Sequence, residues 1–554
     1  MKGQMKFPNN MIQNCQLPMT DTVGFPTRNY KISSKDEYFR NVHKIPALLG
    51  IEQKNLGAYY TDESVVTYML SKLDLRSGAN ILDPSCGCGS FIIPLYLMTQ
   101  KNNKSSFKLY GLDIDKKAVD FAIKFLSEVS PKLTLDNIGN QIMNGDFLVG
   151  PKSSEFEFKA WAKVLSDISM KGGFDIIIGN PPFNVEKISV KRPFFTEPIH
   201  RELASKTKNM PIYFILRSLE LLRHGGTIAF VLPKTLLYGG RYLEFRKYIL
   251  QNYRVIRITE VGLKFKGVRG EQILIFIKKE RPNEYSEIEF STIKDSGKEF
   301  KGDEFAVRQN YFENMAILPT IPNRTIYEIV RKLSVQSLKI SDFTDAKIFR
   351  GLSLGQTKIV VRPFDQNSDL VSNAFVRGRD ITKFRLRSLA FPSNPVVNKD
   401  KLLQIKKPKI MIQNIFSSES GVISYLDMQG IATSETVTNV VISDQRKLAY
   451  VFGLLNSKLL NFYLSTVIFS GSKLTMHMDR FYLEQLPFLW DETREETDAI
   501  IEIAKNAIFS DPDQSKQLLR QLDKHVYELY GIDLKKQQAI EKILANVLSR
   551  KSMW

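Results

Sequence analysis

The apolar run Phe174–Gly179, followed directly by Asn180-Pro181-Pro182-Phe183, constrains the fold more than any other stretch. Its β-branched residues predict a buried strand, and the prolines must end that strand in a stiff turn because they fix φ and lack N–H groups. The Asn180 side-chain oxygen and the Pro181 carbonyl could both accept hydrogen bonds from a planar amine. Two such acceptors would favour the tetrahedral nitrogen that attacks an electrophile, with the Phe183 ring beside it. An ordinary turn is the alternative.

Three acidic residues follow predicted strands upstream of this turn. Asn80–Asp83 leads into a loop with two glycines and then a helix, the nucleotide-site arrangement of an open α/β sheet. The third glycine of the dinucleotide fingerprint is absent, so pyrophosphate binding is disfavoured and Asp83 could hold an ammonium group. Asp113 ends the next strand, where such folds bind ribose hydroxyls, and Asp146-Phe147 marks a third strand end. Each acid alone could be a loop or cap residue, but together they predict a ligand-binding edge.

Alternating helices and strands continue on both sides of these motifs. Thr61 is the predicted N-cap of an apolar helix, and further helices are predicted from Pro211 and over Arg241–Leu250. The later predicted strands, the last two of which would form a final pair, are Thr227–Leu232, Arg254–Val261 and Gln272–Lys278. Phe265, between the last two strands, could place a ring on the same rim or act as a simple apolar anchor.

The length and net charge of the chain limit its domain organisation and its possible partners. The 554 residues are too many for one core, and a formal net charge of +19 points to a polyanionic partner, with nucleic acid as the first candidate. Cys86 and Cys88 are too close together and too isolated for a zinc site or a disulfide framework, so no metal is predicted. No apolar stretch reaches about 18 residues, so we expect no membrane span and a cytoplasmic location.

In their order and spacing, these motifs resemble those of amino-group DNA methyltransferases in the gamma arrangement, over residues 57 to about 278. The resemblance implies an α/β, Rossmann-like domain with a mostly parallel sheet and S-adenosyl-L-methionine as cofactor. It also implies that an adenine is flipped out of double-stranded DNA and methylated at N6.

The resemblance assigns roles to individual residues. Asn180, Pro181, Pro182 and Phe183 would be catalytic, and Phe183 and Phe265 would stack on the target base. Thr61 and the loop from Asp83 would meet the methionine part of the cofactor, Asp113 the ribose, and Asp146 with Phe147 the adenine. The complete set of expected cofactor contacts is Tyr60, Thr61, Asp83, Pro84, Ser85, Cys86, Gly87, Asp113, Ile114, Asp146, Phe147 and Asn180.

The basic residues are concentrated in the second half of the chain. Residues 347–409 contain fourteen lysines and arginines against four aspartates. Such density suits a phosphate backbone, and short segments here resemble TaqI-like specificity domains. The predicted DNA contacts are Arg350, Arg377, Arg379, Lys383, Lys407 and Lys409. A solvated basic face on an unrelated α/β domain is the alternative.

Five regions follow from these patterns. They are an N-terminal arm and helix (1–56), a methyltransferase catalytic domain (57–280), a linker (281–322), an α+β DNA target-recognition domain (323–490) and a helical C-terminal region (491–554). The last region would either clamp DNA or brace the recognition domain.

The sequence therefore predicts a site-specific DNA adenine-N6 methyltransferase of a restriction-modification or epigenetic system. We expect a monomer, with a cognate restriction endonuclease as a further candidate partner. Two alternatives are a protein-glutamine N5-methyltransferase, whose amide substrate is held by a similar turn, and a catalytically silent DNA-binding specificity subunit. The basic second half argues against the first alternative, and the series of acids with Asn180 argues against the second.

Overall fold

The computed structural model describes residues 61–101, 107–129, 141–148, 159–183, 194–262, 270–293, 304–343, 345–355, 357–365, 373–393, 399–472, 474 and 476–548. The chain divides into two compact units, Met1–Met315 and Ala316–Trp554. The predictions for Tyr60, Phe265 and the N-terminal arm lie outside the described residues.

A nine-stranded sheet forms the centre of the first unit. Its strands are β1 (Asn80–Asp83), β2 (Lys108–Asp113), β3 (Ile142–Asn144), β4 (Phe174–Gly179), β5 (Leu222–Pro233), β6 (Arg254–Gly262), β7 (Gln272–Lys278), β8 (Glu287–Thr292) and β9 (Phe305–Arg308). Their order is β3-β2-β1-β4-β5-β7-β6-β8-β9. The strands from β3 to β5 in this order are parallel, and β7 is antiparallel to both of its neighbours. The carboxyl ends of β1 to β5 therefore share one edge.

Helices connect these strands. They are α1 (Glu63–Ser71), α2 (Ile92–Lys101), α3 (Lys116–Val129), α4 (Lys159–Met170), α5 (Pro198–Thr207), α6 (Met210–Leu221) and α7 (Leu243–Asn252). The prediction that Thr61 caps α1 is wrong: the N-cap is Asp62, whose carboxylate accepts from Ser64 N at 2.9 Å. Thr61 is instead buried immediately before the cap.

The predicted linker at 281–322 is also wrong, because the sheet continues through it. β8 pairs in parallel with β6, and β9 pairs antiparallel with β8, so β6 and β7 are not the final pair. Ile288 and Phe290 are buried and alternate with the more accessible Glu287 and Glu289, as expected for a half-buried strand. The mixed charge of the stretch conceals this alternation.

One face of the sheet packs against α1. Its buried cluster includes Ile81 of β1, Ile176 of β4, Ala229 of β5 and Leu274 of β7. Because β1 and β4 are paired directly, with Ile81 opposite Ile176, the loops that follow these two strands emerge side by side.

Small sheets and ribbons surrounded by helices make up the second unit. Its strands are β10 (Lys347–Arg350), β11 (Ile359–Pro363), β12 (Phe375–Val376), β13 (Ile381–Thr382), β14 (Arg385–Leu386), β15 (Ser388–Pro392), β16 (Lys409–Gln413), β17 (Ile415–Phe416), β18 (Ser424–Asp427), β19 (Ala432–Thr433), β20 (Val437–Val441) and β21 (Met476–His477). Two four-stranded sheets have the orders β10-β20-β16-β18 and β11-β15-β12-β19. The remaining strands form the two-stranded pairs β13-β14 and β17-β21.

The helices of the second unit are α8 (Arg324–Gln336), α9 (Lys399–Ile405), α10 (Gln445–Asn456), α11 (Lys458–Tyr463), α12 (Arg480–Leu483), α13 (Glu495–Ala507), α14 (Pro512–Leu529) and α15 (Leu534–Leu548). Among the described residues no single helix is long and apolar enough to cross a membrane. Gln445–Asn456 and Lys458–Ile468 pass that test only as a pair bent by 61°, and their apolar residues are buried.

The C-terminal helices are fastened to the rest of the second unit. Asp523 of α14 accepts from the Lys458 N–H at 2.7 Å, at the start of α11. The Tyr530 hydroxyl accepts from Leu489 N at 3.0 Å and donates to Pro487 O at 2.9 Å. These polar contacts join α14 to the rest of the second unit.

Candidate active site

The turn Asn180–Phe183 lies at the carboxyl edge of β4, in the middle of the sheet. Pro181 is buried, and the other residues of the turn are half-buried. Phe183 packs against the cluster formed by α1 and the central strands. The turn therefore presents polar groups at the edge while its aromatic ring is supported by the core.

Gly179 brings this turn against the loop that follows β1. A Cβ atom at Gly179 would lie 2.8 Å from Asp83 Oδ1 and 3.4 Å from Ser85 Oγ. A side chain at position 179 would collide with the Asp83 carboxyl group, so this packing requires glycine. Sequence reasoning recognised Gly179 as the end of a strand but missed this packing role, because the neighbouring loop is distant in the chain.

Asp83 is buried at the end of β1, and Ser85 is half-buried in the loop with its hydroxyl oxygen turned inward. Asp83 Oδ1 accepts from Ser85 N at 3.1 Å. Burial raises the pKa of Asp83 well above its ordinary value, and the negative charge of Asp113 raises it further. Among the residues that the structure describes, the Ser85 hydroxyl has no hydrogen-bond partner, which is costly for a buried polar atom. A bound cation would favour the ionised form of Asp83, so the carboxyl group and the hydroxyl together would suit a ligand that brings a cation and a hydrogen-bonding group.

Asp113 is held at the end of β2 by two backbone N–H groups. Gly87 N donates to Oδ2 at 2.7 Å, and Asp115 N donates to Oδ1 at 2.9 Å. Gly87 has a φ of +50°, which glycine adopts without strain. Burial raises the pKa of Asp113 to about 6, because it outweighs the lowering effect of these hydrogen bonds.

Cys86, between these groups, is an inert structural residue. Its N–H donates to Leu112 O at 3.0 Å, and its thiol is buried. Burial and the neighbouring carboxylates raise the pKa of the thiol, so it stays protonated.

Asn144 is a functional candidate that sequence reasoning missed. Its amide Nδ2 donates to the carbonyls of Asp113 and Ile114, both at 3.0 Å. The contacts fix the backbone that follows β2, where Ile114 is exposed. The only sequence signal is an asparagine at a strand end, immediately before Gly145-Asp146.

The two residues of the third strand-end motif, Asp146 and Phe147, lie in different environments. Asp146 is half-buried and accepts from Leu148 N at 2.9 Å. Phe147 is buried against Phe214 and Trp161, with ring centroids 5.1 Å and 6.5 Å away. Phe147 therefore supports the motif from the core, and its contact with a ligand stays a prediction.

Two of the six predicted DNA contacts are wrong, because their charges are internal. Lys409 is fully buried and ion-paired with buried Asp427. Arg377 is buried and binds Asp380 with two hydrogen bonds of 2.8 Å. Charge density along the sequence could not show that these side chains point inward.

The other four predicted contacts are accessible to different degrees. Arg379 and Lys407 are exposed, and Lys383 is half-buried. Arg350 is exposed and pairs with Asp479 at 2.5 Å. Among the described residues, no group of three or more histidine, cysteine or acidic side chains could hold a metal ion.

The parallel strands with acids at their ends and Asn-Pro-Pro at the end of β4, extended by antiparallel β7, define a Rossmann-like α/β domain with the sheet of a methyltransferase fold. Residues 49–319 match the N-6 DNA Methylase family, and residues 373–488 match the TaqI-like C-terminal specificity domain. The chain is therefore similar to N-6 DNA methylases in its first unit and to TaqI-like specificity domains in its second.

Two curated relatives each match less than half of this chain. The methylase subunit of the type I restriction enzyme EcoEI from Escherichia coli is 26% identical over 238 residues, covering 40% of this chain and 43% of that protein. The type II methyltransferase M.BsuBI from Bacillus subtilis is 24% identical over 271 residues, covering 47% of this chain and 49% of that protein. The chain thus spans less than half the length of each of these relatives.

A solved structure shares the fold over a longer stretch. The type IIL restriction-modification enzyme MmeI, in complex with DNA, is 14% identical with a TM-score of 0.51. The similarity covers 93% of this chain and 78% of that chain.

Proposed function

We propose that the protein transfers a methyl group from S-adenosylmethionine to N6 of an adenine in a specific double-stranded DNA sequence. The observation that carries this proposal is the close approach at Gly179, which sets the Asn180 turn beside buried Asp83 and half-buried Ser85. A donor site and an acceptor site must be neighbours for direct transfer, and this contact supports that arrangement.

The residues of the edge fit the cofactor. Asp83 and the unpaired Ser85 hydroxyl would bind its ammonium and carboxylate end, next to Thr61. Asp113 retains carboxylate lone pairs for ribose hydroxyls, and Asp146 can accept from an adenine amine. When bound, the cofactor supplies a methyl group that its sulfonium makes electrophilic.

The turn would act on the target base. Asn180 Oδ1 and Pro181 O would accept hydrogen bonds from the two N–H groups of the adenine amine. These hydrogen bonds would leave more electron density on the nitrogen and favour its tetrahedral geometry. Phe183 would stack on the ring, and Phe265 would close its other face. Base stacking of about 1 to 3 kcal/mol per contact offsets part of the cost of flipping the base.

The second unit would supply DNA recognition. Exposed Arg379 and Lys407 suit a phosphate backbone, and the TaqI-like specificity match covers both residues. We propose that the protein acts in the cytoplasm as a monomer within a restriction-modification or epigenetic system, with a restriction endonuclease as a candidate partner. A protein-glutamine methyltransferase would have no use for such a basic unit.

The function is tested by expressing the protein in a host without adenine methylation and mapping modified bases by single-molecule sequencing. We expect N6-methyladenine in one recurring sequence context. Unmodified DNA, with purified protein that methylates a glutamine peptide instead, would refute the proposal.

Replacing Ser85 by alanine should weaken cofactor binding without lowering the free energy of unfolding. We expect a several-fold weaker cofactor affinity and a free energy of unfolding that is unchanged or about 1 kcal/mol higher, because a buried unpaired hydroxyl is removed. Calorimetric titration with S-adenosylhomocysteine and denaturant unfolding measure the two quantities. Unchanged affinity would remove Ser85 from the cofactor site.

Cofactor affinity should fall as the pH drops through about 6, the pKa of Asp113. Ribose hydroxyls need the ionised acceptor, so the Kd should rise up to about tenfold per pH unit below that value. Because this folded-state pKa is raised, the contribution of Asp113 to stability has the opposite trend and is lost as the pH rises through the same value. Titrations with S-adenosylhomocysteine from pH 5 to 8 (about three units) measure the effect. Asp113→Asn should remove the part of the dependence that is centred near pH 6 and leave the part that comes from Asp83.

A further inference from the structure

The strand β11 is an exposed edge in the second unit. It lies at the end of its sheet, with β15 as its one neighbour among the described strands. Val360 and Val361 are 57% and 48% exposed, although Leu389 and Ala390 on β15 are buried. Burial therefore stops at β15, and β11 extends beyond the core. The strand also precedes residues 373–488, to which the specificity domain was matched.

The β11–β15 ribbon is long and regular. Five residue pairs join the strands, from Ile359 opposite Pro392 to Pro363 opposite Ser388. Backbone hydrogen bonds continue the ribbon at both ends, from Ser393 N to Lys358 O and from Phe364 N to Arg387 O. Seven residues of extended chain span about 20 Å, enough to follow a DNA groove over several base pairs.

Cations surround the exposed valines. Lys358, Arg362 and Arg387 are all exposed, and Asp365 is the neighbouring exposed acid. The Arg362 guanidinium is held 5.4 Å from the centre of the Phe391 ring, which restricts its conformations. The ribbon thus combines a positive surface with two apolar side chains.

These same residues oppose pairing with another protein strand. Lysine, arginine and proline on an edge are the usual means of blocking strand addition, and Pro363 has no N–H to donate. The composition therefore favours a polyanion over a second β-sheet as the partner of this edge.

We propose that the β11–β15 ribbon binds in a groove of duplex DNA and contributes to site selection. Lys358, Arg362 and Arg387 contact phosphates, while Val360, on the same face of the strand as Lys358 and Arg362, contacts base edges such as thymine methyl groups. This inference rests on the proposed function and extends it to a ribbon whose outer strand lies before the matched specificity domain.

Two sets of variants test the proposal. Lys358→Gln/Arg362→Gln/Arg387→Gln should weaken binding to a fluorescein-labelled duplex and reduce its salt slope by about one per cation removed. Val360→Ser should relax the sequence context of methylation in plasmid DNA, mapped by single-molecule sequencing, and Val361→Ser, on the opposite face of the strand, should change it less. Cofactor affinity and the unfolding transition should remain those of the wild type.

Matched controls lie on α8 of the same unit. Val335 is 76% exposed, and the Arg324 side chain is 84% exposed, so Val335→Ser and Arg324→Gln change similar surface chemistry elsewhere. If ribbon and control variants bind and methylate alike, the ribbon proposal is overturned while the methyltransferase stands. If the valine change alters self-association instead of site choice, the ribbon is a protein contact and the proposal also fails. A wild-type protein that methylates no DNA would refute the function itself.

Discussion

Replacing Asn180 by alanine is expected to lower kcat for DNA methylation by about 10²–10³-fold. The substitution removes the side-chain acceptor that would favour the reacting geometry of the amine, while the Pro181 carbonyl remains. Because Asn180 is half-buried at the edge of β4, a smaller side chain should leave the sheet intact. The measurement is single-turnover transfer of labelled methyl groups to a duplex that carries the recognised sequence.

Binding measurements separate this catalytic effect from a structural one. DNA affinity and the unfolding transition should stay near those of the wild type, and any loss of cofactor affinity should be much smaller than the loss of rate. Asn310→Ala, at an exposed position of the same unit, is the control and should transfer methyl groups normally. Wild-type rates for Asn180→Ala would contradict the role of the side chain.

Replacing Lys409 by methionine is expected to destabilise the second unit by about 3–5 kcal/mol. Methionine has a similar length but leaves buried Asp427 without its cation. Asp427 also accepts from the N–H groups of Gln429 and Ile431, so the change should loosen the turn after β18. Hydrogen exchange of β16 and β18 during denaturant titration would measure the loss locally.

Lys407 provides the comparison two residues away. It is exposed, so Lys407→Met should change stability by no more than about 0.5 kcal/mol and should instead reduce the salt dependence of DNA binding. If Lys409→Met left stability unchanged and reduced the salt slope, Lys409 would be a DNA contact after all.

Local sequence patterns predict the centre of the fold well. The strands Asn80–Asp83 and Phe174–Gly179 have the bounds that the sequence predicts, because a buried parallel strand closed by turn residues has a strong local signal. The sequence does not predict β8 and β9, because each strand exposes one polar face and depends on pairing with another strand, β8 with β6 and β9 with β8. A linker and a half-buried strand look alike in such a stretch.

The residues of the candidate site differ in the same way, because some have a local sequence signal and others depend on tertiary contacts. Residue type and strand position suffice to select Asp83, Asp113 and Asn180, since the carboxyl ends of parallel strands meet at one edge. The unpaired state of Ser85 and the amide bridge from Asn144 depend on distances between loops, which the sequence does not encode locally. Arg377 and Lys409 fail as predicted DNA contacts for the related reason that burial is a tertiary property.

The hydrogen bonds of Tyr530 and Asp523 set the limits of a transplantable module. In a chimera whose recognition segment ends at residue 490, Pro487 and Leu489 would lose their hydrogen bonds to the Tyr530 hydroxyl. The N–H group of Lys458, at the start of α11, would lose its hydrogen bond to Asp523. Engineers who exchange specificity between such proteins should therefore move the whole second unit, Ala316–Trp554, as one cassette that includes the terminal helices.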